Sequence, residues 1–153
     1  MKVLVTDKIN ESAGKIIEQT AQVDFLPTMS EEELIKVIPN YDALMVRSQT
    51  KVTAKIIEAG KNLKIIGRAG VGVDNIDLDA ATQNGVIVVN SPDGNTIAAA
   101  EHTIALMLAM ARNIAPAATS TKEGKWERSK FTGVEGFGKT LGIIGFGKIG
   151  QHV

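Results

Sequence analysis

Cysteine is absent from this chain, which excludes a disulfide framework, thiolate catalysis and a cysteine-based zinc site. An excess of charge of either sign is missing too: 17 Lys and Arg stand against 17 Asp and Glu, so composition carries no footprint for nucleic acid or an anionic membrane. Long apolar runs are lacking. The most apolar stretch, Thr96–Met110, holds Glu101 and His102 and reads as a buried helix, not a membrane span. Met1–Asp7 has neither the apolar core nor the cleavage site of a signal peptide. With no cysteine and no targeting segment, a cytoplasmic location is expected. Metal-ligand spacing of His and carboxylates is not found.

What is present is alternation. Short β-branched runs at Val3–Thr6, Val23–Leu26, Ala43–Val46, Leu63–Ile66 and Val86–Val89 are separated by helical patterns. Ser30 and Glu33 are spaced as a capping box, Gly60 closes a helix over Thr53–Ala59, and Asp77 is placed to cap Leu78–Gln83. Five nearly continuous apolar strands with helices between them imply an α/β fold with a doubly wound parallel sheet. The long pattern from Thr96 to about Thr121 is apolar on most faces in its first half, predicts a helix that something must bury, and contains a candidate bend at Pro116. A polar connection leads to a predicted strand, Thr140–Ile144.

Four segments carry chemistry. Gly145-Phe146-Gly147-Lys148-Ile149-Gly150 fits G-x-G-x-x-G: Gly145 for a tight turn, Gly147 for approach of a pyrophosphate to the backbone, Gly150 for close helix packing. It also fits a glycine-rich corner with no ligand. Arg47 and Ser48 follow the third predicted strand, at the end where parallel sheets bind ligands. An arginine there can clamp a carboxylate or phosphate, or simply face solvent. Gly67–Asn75 places three glycines within six residues, and Arg68 again follows a strand. Asn95 and Thr96 open the long helix, as caps or as anion ligands. His102 reads as structural, not catalytic, and His152 has no context.

Together, Val46–Thr53, Ile65–Thr82, Val88–Arg112, Gly124–Gly133 and Gly138–Gly150 resemble the D-isomer-specific 2-hydroxyacid dehydrogenases over the whole chain. The resemblance implies a flavodoxin-like substrate domain whose first segment is residues 1–95. It also implies a crossover helix and the start of a Rossmann NAD-binding domain over 96–153. It implies hydride transfer between NAD and a small phosphorylated 2-hydroxy acid, most closely 3-phospho-D-glycerate at the first step of serine biosynthesis. Arg47 and Ser48 match ligands of the distal phosphate. Arg68, Ala69, Gly70 and Asn95 match substrate-side positions, and Val71 lies toward the nicotinamide. Gly145, Gly147, Lys148, Ile149 and Gly150 match the pyrophosphate turn. Arg128 matches a basic position able to reach a neighbouring subunit, and the 96–121 helix matches a dimer contact.

The family's catalytic Arg, Glu and His would all lie beyond position 153. The chain is therefore expected to be the N-terminal part of a longer enzyme and inactive by itself. Other readings of the same residues are a dehydrogenase for glyoxylate or hydroxypyruvate, a metabolite-sensing module using Arg47 and Arg68, and a corepressor that keeps NAD binding.

Overall fold

The computed structural model describes residues 1–26 and 29–153, which form two compact units, Met1–Gly94 and Asn95–Val153. The first unit holds strands β1 (Lys2–Val5), β2 (Gln22–Phe25), β3 (Ala43–Val46), β4 (Ile65–Arg68) and β5 (Ile87–Asn90). All pair in parallel, in the order β2-β1-β3-β4-β5. Helices α1 (Glu11–Glu18), α2 (Glu31–Val37), α3 (Ala54–Ala59) and α4 (Leu78–Gln83) make the connections. The strand order reverses direction between β1 and β3, and that reversal opens a crevice at the strands' carboxyl ends.

Alternation along the strands divides the core. Leu4, Leu44, Val46 and Ile66 point to one face, where Leu34, Ile38, Ile56, Ile57 and Ala81 complete a large buried cluster. Val3, Val5 and Ala43 point to the other, over which Ile9, Ile17 and Val23 are partly buried. The edge strand β5 departs from the expected two-sided burial, since its Ile87 and Val89 are exposed.

Local chemistry sets the helix ends. The Ser30 hydroxyl accepts from the Glu33 N–H while the Glu33 carboxylate accepts from the Ser30 N–H, completing the expected box. Asp77 caps α4 through the Ala80 N–H, and Gly85, at φ +67°, follows the helix. Thr53 does not cap α3 with its side chain; its hydroxyl donates instead to Glu31.

The second unit holds α5 (Thr96–Ala111), α6 (Ile114–Lys122) and α7 (Lys148–His152). Two expectations are corrected here, the place of a helix break and a strand. The long helix breaks at Asn113, which adopts a left-handed φ of 52°, and not at Pro116. Pro116 falls in the first turn of α6, where its missing N–H removes no helical bond. Helix α5, expected to need something to cover it, leaves Leu106, Leu108 and Met110 exposed within this chain, the last at 78%, while Thr96 and Ala100 are buried. Thr140–Ile144 is not a strand. No described residue offers it a ladder partner, so its backbone groups remain open to water and Ile144 is fully exposed.

Candidate anion-binding site

The carboxyl ends of β1, β3, β4 and β5 converge on one cluster in the first unit. It starts from Asp7, two residues beyond β1 and only 4% exposed. One carboxylate oxygen accepts from the backbone N–H groups of Arg47 (2.6 Å), Gln49 (3.2 Å) and Thr50 (3.1 Å). The other accepts from the Thr50 hydroxyl, which also bonds the Thr6 hydroxyl at 2.8 Å. Burial pushes the Asp7 carboxyl upward, but these hydrogen bonds from Thr50, Arg47 and Gln49 outweigh it and hold the group below the usual carboxylate range. The loop after β3 is thus tied to the end of β1, and it presents Arg47 and Ser48 to solvent.

Arg68 is positioned differently. The sequence reading put it in a turn after the fourth strand, together with Gly67. The structure puts both residues inside β4, with Arg68 in register with Val46 and Asn90. Its backbone is therefore fixed by the sheet, and its half-buried side chain folds over the turn that follows. A Cβ on Gly70 would stand 2.6 Å from Arg68 Nη1, so the absence of a side chain at position 70 makes room for the guanidinium. Ala69 donates to the Val46 carbonyl (2.9 Å), and Ser91 donates to the Gly70 carbonyl (3.0 Å). The Asn90 amide donates to the Val71 carbonyl (2.6 Å). The turn Arg68–Val71 is thereby anchored to β3 and β5.

Among the described residues, no carboxylate forms an ion pair with Arg47 or Arg68. The Arg47 guanidinium donates to the Lys8 carbonyl, at 3.3 Å, and that of Arg68 to the Asn75 side chain, at 2.8 Å. Two guanidinium groups that form no ion pair among the described residues, at the carboxyl edge of a parallel sheet, suit an anionic ligand, although Asp74 Oδ1 and Arg68 Nη1 both flank Gly72. A cleft of about 620 Å³ lies beside α1, lined by Asp7, Lys8, Ile9, Asn10, Phe25 and Gln49 among others. Neither arginine lines it, and its apolar floor and mixed charges fit an anion less well than the arginines do.

In the second unit, Gly145 turns at φ +93° and a Cβ on Gly147 would meet nothing within 4 Å, which leaves its backbone open to a ligand. A Cβ on Gly150 would collide with the Gly145 carbonyl, so the third glycine permits a close backbone approach inside the turn itself. Lys148 and Ile149 begin α7. These residues fit the opening of a dinucleotide turn, without the strand expected before it. Asn95 stands at the start of α5 and makes no side-chain capping bond, and Arg128 is exposed on a 3-10 turn.

Sequence reading missed the organising roles of Asp7 and Asn75. Asp7 falls just past the predicted strand Val3–Thr6, and only its placement, a carboxylate directly after an apolar run, could have signalled it.

Residues 3–135 match the model of the D-isomer specific 2-hydroxyacid dehydrogenase catalytic domain, and the chain belongs to this family. Its relatives are more particular. It is 61% identical, over 99% of its length and 27% of theirs, to D-3-phosphoglycerate dehydrogenase of Synechocystis sp.. It is 60% identical to the enzyme of the same name from Archaeoglobus fulgidus, over 100% of this chain and 29% of that one. Among solved structures it is similar to NAD+-bound 3-phosphoglycerate dehydrogenase of Entamoeba histolytica. That match has a TM-score of 0.76 at 34% identity and covers 99% of this chain and 48% of the other. The chain thus spans under a third of the length of the curated relatives it matches.

Proposed function

We propose that the protein containing this chain oxidises 3-phospho-D-glycerate to 3-phosphohydroxypyruvate with NAD. The observation that carries the reading is the pair of arginines that form no ion pair among the described residues, each at the carboxyl end of a parallel strand, in a chain so similar to proteins of that name. In this reading Arg47 and Ser48, exposed on the loop that Asp7 holds, bind the distal phosphate. Arg68 binds the carboxylate with backbone groups of Ala69 and Gly70, and Asn95 contributes on the substrate side.

Val71 and the turn Gly145–Gly150 hold the dinucleotide, with the backbone of Lys148 and Ile149 against its pyrophosphate. NAD, when bound, supplies the hydride acceptor. The hydroxyl proton must leave to a base, and in this reading that base belongs to the family's catalytic Arg, Glu and His set, which the resemblance places beyond position 153. The 153 residues alone are accordingly inactive in this reading. The exposed apolar side chains of α5 support pairing of two copies through the 96–121 segment.

An NADH-linked assay with 3-phosphohydroxypyruvate, run on the 153-residue chain and on the full-length gene product, tests the reading. Turnover by the full-length protein alone is expected. Turnover by the short chain would refute the assignment of proton transfer to residues outside it. Absence of turnover in both would refute the substrate.

A further inference from the structure

Asn75 lies half-buried between the two arginines and spends its side-chain amide on both. Its Oδ1 accepts from Arg68 Nε at 2.8 Å. Its Nδ2 donates to the Arg47 carbonyl (2.7 Å) and the Thr50 carbonyl (2.6 Å). Its own backbone carbonyl accepts from the Val52 N–H at 2.8 Å, beside the bridge that pairs Val52 with Ile76. Both amide protons and the amide oxygen are therefore engaged. One short side chain fixes a loop 25 to 28 residues earlier in sequence and a guanidinium 7 residues earlier.

The chemistry of each contact is specific. A guanidinium offers five N–H groups in a rigid fork. Asn75 takes the Nε–H, which orients the plane and leaves the Nη edge for a ligand. Through the two carbonyls it also sets where the Arg47–Ser48 loop stands relative to that plane. Ser or Ala could not make all three bonds. Asp would keep a partner for Arg68 but turn an oxygen toward two carbonyl oxygens.

We propose that Asn75 is a positioning residue that sets the separation of the two cationic groups, and so selects 2-hydroxy acids carrying a second anion at a fixed distance from the carboxylate. The inference rests on reading Arg47 and Arg68 as the ligands of the substrate's two anions. Asn75 itself touches neither.

The test compares Asn75→Asp and Asn75→Ser with wild type in the full-length gene product. Two measurements are made: kcat/KM for 3-phosphohydroxypyruvate relative to hydroxypyruvate, and calorimetric affinity for 3-phosphoglycerate relative to D-glycerate. The expected result for Asn75→Ser is a fall of about tenfold or more in both ratios, with hydroxypyruvate turnover within about threefold of wild type, whereas the new carboxylate of Asn75→Asp beside Arg68 Nε also lowers turnover of both oxo acids. The aspartate variant, whose ratios are also expected to fall, serves if the smaller, uncharged serine variant does not fold. Ratios unchanged while overall activity or Tm drops would overturn the proposal, because a merely structural residue affects both substrates alike. A wild type that binds 3-phosphoglycerate in preference to glycerate yet turns over neither oxo acid would remove the proposed reaction. Loss of that preference in the variants would still uphold Asn75. A wild type with no preference at all would overturn both.

Discussion

The two ends of the first unit's sheet treat charge in opposite ways. At the amino-terminal end Lys2 and Lys64 each have a counter-charge. Lys2 Nζ pairs with Asp24 at 3.0 Å and lies 4.6 Å from the centre of the Tyr41 ring, whose hydroxyl also donates to Asp24. Lys64 pairs with Asp42, which accepts from the Lys2 N–H as well. At the carboxyl end, the carboxylate of Asp7 is spent on backbone N–H groups, and the arginines are held by neutral carbonyl and amide oxygens. The first arrangement closes a surface. The second fixes the backbone and keeps the positive charge available, which is the condition for binding an anion.

Five substitutions break or sharpen this contrast. Asp7→Ala should have the largest effect: it strands the N–H groups of Arg47, Gln49 and Thr50 and is expected to cost about 3 kcal/mol of stability by urea titration. The same carboxyl carries a pH signature. Its folded pKa lies below its unfolded one, so its stabilisation is complete above the ordinary carboxylate value of about 4 and is lost as pH falls through the folded value. Asp7→Asn should therefore flatten acid unfolding below about pH 4. Arg68→Ala comes next, with kcat/KM of the full-length protein falling on the order of 100-fold while Tm barely moves. Gly70→Ala leaves every charge in place but displaces the guanidinium, and KM should rise by about tenfold. Lys64→Met, at the opposite end, should leave kinetics untouched and Tm within about 2 °C, as expected for an exposed pair. A kinetic effect there equal to that of Arg68→Ala would erase the distinction between the two ends.

Features whose partners lie close in the chain could be read from sequence. The Ser30–Glu33 box and the Asp77 cap depend on three-residue spacings, and the five strands depend on local apolar runs. Arg47 and Arg68 stood out because each follows or ends such a run. The ties of Asp7 to the Arg47 loop span 40 or more residues and join neighbours created by strand order, which no local pattern encodes. Thr140–Ile144 failed for the converse reason: its residues favour a strand, but a strand exists only with a neighbour. The break at Asn113 was hidden by the more conspicuous Pro116, whose position in the first turn made it harmless.

The contact between Asp7 and the β3 loop also has a thermodynamic reach. The amides of Arg47, Gln49 and Thr50 are protected from exchange with solvent only while β1 and β3 stay docked, because their shared acceptor, Asp7, lies two residues beyond β1. An anion that binds the closed loop and not the open one must slow deuterium uptake at all three amides, and by linkage in the two central strands as well. The anion would thus act as a clasp on the middle of the sheet, its occupancy recorded in the backbone before any chemistry takes place.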